Sequence, residues 1–279
     1  MRKRRPGSHR RGRTRPGRLR LLHQLLSAGA LALPKADRLC AADIGFGDAP
    51  VTTRELYQAL CAGQEEAVQL WGIDCDPSRV EAAQRQEQAS EALWPVYELG
   101  GFDHLNQRGI AAHLVTCFNV LRGYPLEFVA EAQRQMLRGI APGGILVEGS
   151  TDVGGDRLTA HLWRRAGPEA HYEGLLLATS FARGFAPRMF RDVLPRDLRR
   201  HVKDGEPVCE LFTAWQSCVD ECARAGDLSL TALFADSAHA LAQQRQDVCC
   251  KWSGWGALVW TPQRPSYRPL VLAPGRLVA

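Results

Sequence analysis

Short hydrophobic runs alternate with amphipathic stretches along the first half of the chain. The apolar runs predict five strands, at residues 39–44, 68–73, 96–99, 111–119 and 145–148. The stretches between them carry apolar residues at helical spacing, and they predict helices at residues 52–61, 76–93 and 126–140. Strands that alternate with helices in this way predict an α/β fold with a doubly wound, mostly parallel sheet.

The second half of the chain is less regular. Residues 174–181 and 256–261 predict two further strands, and the region from about 187 to 250 predicts a helical insertion before the last strand. Ahead of the first strand, residues 18–27 have the spacing of an amphipathic helix. We therefore expect one folded domain over residues 18–279.

The N-terminal segment is different in composition. Residues 1–17 are rich in Arg, Pro, Gly and Ser, which predicts a disordered basic arm. Ten of the 35 Lys and Arg residues lie between positions 2 and 20, and the rest of the chain carries 25 basic against 30 acidic residues. The net charge of +5 therefore comes from the arm, which makes nucleic acid a candidate partner of residues 2–20.

Hydropathy and cysteine spacing bear on compartment and metal binding. No run of about 18 apolar residues is present, so we expect no membrane span and a cytoplasmic protein. The nine cysteines include no C-x-x-C pair, and Cys218 and Cys222 have the i,i+4 spacing of a helix face. We expect reduced thiols and no metal site.

A glycine-rich turn after the first predicted strand carries the strongest functional signal. It reads D-I-G-F-G-D over residues 43–48. Gly45 and Gly47 allow positive φ and place no Cβ between the backbone and a ligand. Asp74 ends the second predicted strand, at a distance from the turn where an acid typically hydrogen-bonds a ribose. The pattern predicts an adenosine-containing cofactor.

The residues around this turn favour one kind of cofactor. A dinucleotide turn has a third glycine, and Pro50 stands in its place here. Asp43 and Asp48 flank the turn and would repel a pyrophosphate, which disfavours a nucleotide-dependent oxidoreductase. Carboxylates there suit a zwitterionic ligand such as the amino acid end of S-adenosylmethionine.

With these motifs the sequence resembles the class I S-adenosylmethionine-dependent methyltransferases. It is most similar to a bacterial branch with the motifs D-I-G-F-G-D-x-P-x-T-T, found at residues 43–53, and F-N-V-L-R, found at residues 118–122. The similarity extends from about residue 12 to about residue 260. It implies a Rossmann-like fold, S-adenosylmethionine as the cofactor and methyl transfer, and it names no acceptor: RNA, protein and small molecules stay open.

The resemblance also implies positions around the cofactor. Phe102 and Asp103 follow the third predicted strand, where enzymes of this class hold the adenine, by stacking and by accepting from its amino group. Asn119 closes the fourth strand. In amino methyltransferases a Pro-Pro-aromatic sequence follows such an Asn, whereas Val-Leu-Arg follows it here. Asn119 is therefore a candidate for contact with the cofactor or the acceptor.

Two charged residues are candidates for contact with an acceptor. Arg122 lies just beyond the fourth strand and suits an acidic substrate group, or alternatively an ion pair with a local acid. Glu148 at the end of the fifth strand is the best general-base candidate, or alternatively the partner of Arg122 or Arg157 in an ion pair.

Two functions from different classes follow. The first is a methyltransferase with an unspecified acceptor. The second is a catalytically inactive protein with a cofactor-binding fold that associates with nucleic acid through its basic arm. The sequence leaves the oligomeric state open.

Overall fold

A computed structural model describes residues 14–62, 67–87, 95–262 and 270–272 of the protein. Ten strands form one sheet, in the order β3-β2-β1-β4-β5-β6-β7-β9-β8, with β10 paired to β7. The strands are β1 (Arg38–Ile44), β2 (Ala67–Asp74), β3 (Val96–Leu99), β4 (Ala112–Phe118), β5 (Ile140–Thr151), β6 (Arg157–Ala166), β7 (Glu169–Thr179), β8 (Val248–Cys249), β9 (Ala257–Trp260) and β10 (Leu270–Val271). The α-helices are α1 (Arg20–Ser27), α2 (Val51–Ala62), α3 (Pro77–Glu87), α4 (His104–Gln107), α5 (Val129–Arg138), α6 (Pro207–Ala225) and α7 (Leu230–Gln244).

The first five strands form the parallel half of the sheet. They pair with one another in parallel, and β1 lies at the centre between β2 and β4. The carboxyl ends of these strands therefore meet at one edge, which is where open α/β sheets bind ligands. The α/β class that the sequence predicts is confirmed.

The other half of the sheet is antiparallel and larger than the sequence predicts. β6, β7 and β9 follow β5 as antiparallel neighbours, and β8 pairs with the outer side of β9. The sequence does not predict β6, because the centre of this strand is buried on both faces and its residues show no clean alternation of apolar and polar types. β9 is also not the last strand, since β10 follows it in the chain and pairs with β7.

Helices cover both faces of the sheet. Consecutive residues Ala41 and Ala42 of β1 are both fully buried and belong to different hydrophobic clusters, one on each face. The face that Ala41 shares packs against α1 and α2, and the face that Ala42 shares packs against α4, α5, α6 and α7. Two covered faces explain why strands β1, β2 and β4 are almost uniformly apolar.

The predicted insertion contains α6, α7 and a preceding 3-10 helix at Pro187–Val193. Its aromatic residues pack on one another, with Trp215 stacked on Phe190 and in edge contact with Phe234. These side chains belong to the same core cluster as β4 and β5. The insertion therefore shares its core with one face of the sheet.

Some element boundaries differ from the predicted ones. α2 begins at Val51, one residue before its predicted start, and the hydroxyl of Thr52 donates to Asp43. Further along the chain, β5 begins at Ile140, where the sequence predicts the last residue of a helix. The helix α5 ends at Arg138, and Gly139 follows it as the C-cap residue with a φ of −85°.

Only part of the predicted basic arm is described. The predicted disorder of residues 1–13 lies outside the described residues. Thr14 donates to the carbonyl of Phe46 at 3.3 Å, and the Gly17 N–H donates to Glu55 at 2.7 Å. Residues 14–17 thus contact the domain at the glycine turn. No helix in the described ranges has the length and hydropathy needed to cross a membrane.

Candidate functional site

Two adjoining cavities open at the carboxyl edge of the parallel strands. The larger has a volume of about 310 Å³ and lies beside the glycine turn, at the ends of β1 and β4. The smaller, of about 30 Å³, lies between the ends of β2, β3 and β4. Gly45 and Val120 line both cavities, so the glycine turn and the segment after β4 separate them.

The glycine turn has the backbone conformation that its sequence predicts. Gly45 and Gly47 have φ of +80° and +83°, a region that other residues rarely adopt. A Cβ on Gly45 would lie 2.4 Å from Cγ2 of Val120, and one on Gly47 would lie 3.0 Å from Oγ1 of Thr14. Glycine is therefore required at Gly45 both by conformation and by space.

Asp74 ends β2 beneath this turn and holds it in place. Its carboxylate is 3% exposed and accepts the Gly47 N–H and the Asp76 N–H, each at 3.0 Å. Arg79 lies 3.6 Å from it and 2.9 Å from the carboxylate of Asp48. Asp74 lines the smaller cavity, so it can both support the turn and accept from a ribose hydroxyl.

Asp43 lies deeper than its predicted role requires. It is 3% exposed, and its carboxylate accepts hydrogen bonds from the hydroxyls of Thr53 at 2.7 Å, Thr116 at 3.0 Å and Thr52 at 3.2 Å. Burial raises the pKa of this carboxyl, although the three threonine hydroxyls oppose the shift. Asp43 is not among the residues that line either cavity, and it ties β1, β4 and α2 together beneath the turn.

Phe102 lies where the resemblance implies an adenine site, whereas Asp103 lines neither cavity. Phe102 lines the smaller cavity and packs edge-on against Tyr124, with 5.4 Å between the ring centroids. Asp103 follows it, and its Oδ1 is buried with no hydrogen-bond partner among the described protein atoms. A buried carboxylate oxygen without a donor is costly unless a ligand or water satisfies it.

Asn119 joins the ends of β4 and β5. It has a φ of +61°, and its side-chain amide donates to Oγ1 of Thr151 at 3.1 Å and accepts the Thr151 N–H at 3.2 Å. Asparagine is among the residues that tolerate this conformation best. Asn119 lines the larger cavity, so it can contact a ligand there in addition to fixing the two strand ends.

Three arginines from distant parts of the chain also line the larger cavity. Arg122 follows β4, Arg18 precedes α1, and Arg199 lies between the 3-10 helix and α6. Arg122 contacts Asn119 Oδ1 at 3.4 Å and the carbonyl of Asp192 at 3.5 Å, and forms no ion pair within the described ranges. The ion pair with a local acid that the sequence leaves open is therefore not formed there.

Glu148 lies away from the cavities in a buried polar network. It is 2% exposed, pairs in register with His161 of β6, and accepts from Gln133 of α5 at 3.1 Å. His161 in turn contacts Asp197 and Tyr172, each at 2.9 Å. Burial raises the pKa of Glu148 to about 7. Neither cavity is lined by Glu148, and Arg157 pairs with Asp152 instead of Glu148.

Among the residues that the structure describes, no cluster of three or more His, Cys, Asp or Glu side chains is placed to hold a metal ion. The nine cysteines are all free thiols, and Cys218 is buried in the face of α6. Asp48 is the one carboxylate that lines the larger cavity among the described residues.

Sequence reasoning missed several residues of this site. Thr14, Arg18 and Arg199 were not predicted to meet the turn, because they come from segments far apart in the chain. Arg79 was also missed, although its place three residues after Asp76 on α3 was a signal, since it puts a cation beside the acids at the end of β2.

Comparison with known proteins gives a limited result. No protein-family model matches this sequence, and no curated protein matches it. Among solved structures, S-adenosylmethionine-dependent methyltransferases share part of the fold. The magnesium protoporphyrin IX methyltransferase from Synechocystis, solved with S-adenosylhomocysteine, is 21% identical, with a TM-score of 0.36 over 47% of this chain and 53% of that one.

Two further structures give the same picture. The methyltransferase domain of the citrinin polyketide synthase is 16% identical, with a TM-score of 0.38 over 46% of this chain and 33% of that chain. The carbon methyltransferase CurJ is 19% identical, with a TM-score of 0.37 over 47% of this chain and 34% of that chain. This chain spans about half or less of each of these three proteins, and the likeness concerns the fold alone.

Proposed function

We propose that the protein is an S-adenosylmethionine-dependent methyltransferase. The observation that carries the proposal is the glycine turn, with positive φ at Gly45 and Gly47, pinned to buried Asp74 at the carboxyl edge of parallel strands. The first of the two motifs that resemble those of class I methyltransferases, at residues 43–53, contains this turn, and the second, at residues 118–122, adds support from another segment.

The residues at the two cavities fit this cofactor. Asp74 has room to accept from a ribose hydroxyl, and Phe102 lines the same cavity and can pack against an adenine. Asp48 lines the larger cavity and suits the ammonium of the methionine end. Gly45 and Gly47 line the larger cavity and have no side chains, so a ligand there can approach their backbone.

Methyl transfer from this cofactor requires few catalytic side chains. The bound cofactor supplies an activated methyl group, and the protein aligns the acceptor and excludes water. Asn119 holds the ends of β4 and β5 at the cavity wall, which fixes the surface against which an acceptor is positioned. Glu148 lies outside both cavities, so we assign it no proton transfer. If the acceptor must lose a proton, Asp48 is the carboxylate in the larger cavity that can accept it.

The test is isothermal titration of the full chain with S-adenosylmethionine, S-adenosylhomocysteine and NADH. Binding of the first two and not of NADH is the expected result. Loss of that binding in Asp74→Asn supports the ribose contact only if the variant keeps its fold, because Asp74 also supports the turn. The melting temperature of each variant is therefore measured in parallel.

Asp76→Asn is the matched control. Asp76 is an acid of the same loop, but its carboxylate accepts from the N–H and the hydroxyl of Ser78 at the start of α3, at 3.0 and 2.7 Å. It should leave cofactor affinity unchanged. A protein that binds neither sulfur compound would refute the proposed function.

A second candidate is a protein with this fold that binds no cofactor productively and acts through its basic segment, residues 2–20. The size of the smaller cavity favours it, since about 30 Å³ is far below the roughly 300 Å³ at which small-molecule pockets begin. The titration separates the two candidates, because this second protein would bind nucleic acid in a salt-dependent way and S-adenosylhomocysteine not at all.

A further inference from the structure

The larger cavity is lined by more positively charged side chains than the single carboxylate of the cofactor needs. Arg18, Arg122 and Arg199 line it, and Asp48 is the one carboxylate facing them within the described ranges. Asp48 is itself paired with Arg79 at 2.9 Å. The cavity therefore carries three guanidinium groups against one carboxylate, which Arg79 already contacts and which also faces the cofactor's ammonium.

Arg18 and Arg199 both lie close enough to Arg122 to repel it, and none of the three forms an ion pair within the described ranges. Arg18 donates from Nε to Oγ1 of Thr151 at 3.0 Å, whereas Arg199 is exposed and its side chain forms no hydrogen bond or ion pair with a described residue. Burial, together with repulsion from Arg199 and Arg18, lowers the pKa of Arg122. Asp152 and Asp192 attract Arg18 and Arg122 only from beyond ion-pair distance, and Asp152 is already paired with Arg157.

Three guanidinium groups placed in this way lower the stability of the protein unless a bound anion compensates their charge. Like charges repel, and a half-buried guanidinium loses hydration that its two weak contacts do not replace. S-adenosylmethionine carries one carboxylate against an ammonium and a sulfonium, so its net charge is positive. One arginine suffices for that carboxylate, and at least two remain.

We propose that Arg122 and Arg199 bind an anionic group of the methyl acceptor, a carboxylate or a phosphate on a small molecule. This inference rests on the proposed function and extends it to the class of substrate. Guanidinium groups recognise both anions through paired N–H donors. The volume of about 310 Å³ lies at the lower end of small-molecule pockets.

The test uses inorganic phosphate as the probe. The melting temperature and a titration heat of the full chain are measured against phosphate concentration, at an ionic strength kept constant with sodium chloride. Wild type should bind phosphate, and Arg122→Gln and Arg199→Gln should each bind it about tenfold more weakly. Arg122→Lys should recover only part of the affinity, since an ammonium lacks the paired donors.

Arg200→Gln is the matched control. Arg200 is the exposed neighbour of Arg199, does not line the cavity, and has no ion pair among the described residues. It removes the same charge from the same segment and should leave phosphate binding unchanged. Arg122→Gln should also melt at the wild-type temperature or above, because it relieves repulsion.

The outcomes separate this inference from the proposed function. Phosphate binding that is absent, or that is weakened equally by Arg200→Gln and Arg122→Gln, overturns the inference, the second result pointing to diffuse attraction by the basic segment. S-adenosylhomocysteine binding without a phosphate site keeps the methyltransferase and loses the anionic acceptor. A phosphate site without S-adenosylhomocysteine binding keeps the anion site at Arg122 and Arg199 and refutes the methyltransferase. Binding of an RNA oligonucleotide that depends on Arg122 and competes with phosphate would also overturn a small-molecule acceptor.

Discussion

Asp43 explains why the glycine motif continues as far as Thr53. The motif begins with an acid and ends with two threonines, and in the folded chain the hydroxyls of Thr52 and Thr53 donate to the carboxylate of Asp43. A carboxylate buried to 3% exposure needs such donors. The acid and the two threonines of the motif thus form one local hydrogen-bond cluster, which lies beneath the glycines of the turn and supports them.

We expect Thr53→Val to lower the free energy of unfolding by about 1–3 kcal/mol, because Asp43 loses the shortest of its hydroxyl donors while staying buried. Chemical denaturation measures the loss. Thr213→Val on the exposed side of α6 is the control and should change stability little. Equal losses in the two variants would show that valine in a helix, not the buried carboxylate, is responsible.

Gly45→Ala should lower the free energy of unfolding by about 1–3 kcal/mol and remove S-adenosylhomocysteine binding, since the residue has a φ of +80° and its Cβ would meet Val120. Gly226→Ala is the comparison, because that glycine has an extended φ of 173° and no neighbouring atom within 4 Å of a Cβ. Denaturation and titration of both variants check the difference. A Gly45→Ala protein that binds normally would contradict the geometry of the turn.

At the scale of elements, strands β5 and β6 bring a carboxyl and an imidazole together in the core. Glu148 and His161 are paired in register, with Gln133, Tyr172 and Asp197 as the other groups around them. Burial acts to lower the pKa of His161, but Asp197 and Glu148 outweigh it and raise the value. Both groups therefore bind protons more tightly in the folded than in the unfolded chain.

This pair predicts a stability that falls as pH rises. The folded pKa of Glu148 is about 7 against an ordinary value of 4.5, so its contribution is full below about pH 4.5 and is lost by about pH 7. The raised pKa of His161 adds a loss in the same direction above its ordinary value of 6.5.

The measurement is the free energy of unfolding of wild type and Glu148→Gln between about pH 5 and 8. Wild type should lose stability relative to the variant across this range, by about 1–3 kcal/mol. Glu131→Gln, at a half-exposed position on α5, should run parallel to wild type. Parallel curves for Glu148→Gln and wild type would show that Glu148 is already ionised at pH 5.

Some secondary-structure elements can be predicted from the sequence and others cannot. β1, β2 and the turn between β1 and α2 follow from local patterns, because an apolar run, two glycines and an acid lie within a few residues of one another. β6 does not, because Leu162 and Trp163 are adjacent and both buried, so the strand lacks the period of two. Arg199 joins the cavity only through tertiary packing, and no pattern near it in the sequence indicates this.

At the scale of the whole molecule, residues 14–18, which precede α1, form part of the wall of the larger cavity. Thr14, Gly17 and Arg18 bond to the glycine turn, to α2 and to the end of β5. Arg20 continues this contact by pairing with Asp156 in the β5–β6 turn. Two of the ten basic residues at positions 2–20 therefore belong to the folded domain and its cavity.

Two truncations test this division. A chain that starts at Thr14 should keep the melting temperature and the S-adenosylhomocysteine affinity of the full chain, because the contacts described above begin there. A chain that starts at Leu19 should lose about 1–3 kcal/mol of stability and much of its ligand affinity, since three hydrogen bonds and a cavity wall are removed. Equal behaviour of the two would assign residues 14–18 no part in the site.

The contact between Phe102 and Tyr124 has a consequence for kinetics. Both rings line the smaller cavity, so we expect them to separate before an adenine enters there, and association then requires a prior opening. The observed rate of S-adenosylhomocysteine binding should then level off at high ligand concentration, at the opening rate. The apparent affinity is reduced by the fraction of molecules that are open. Tyr124→Ala, which removes one ring, should abolish the plateau.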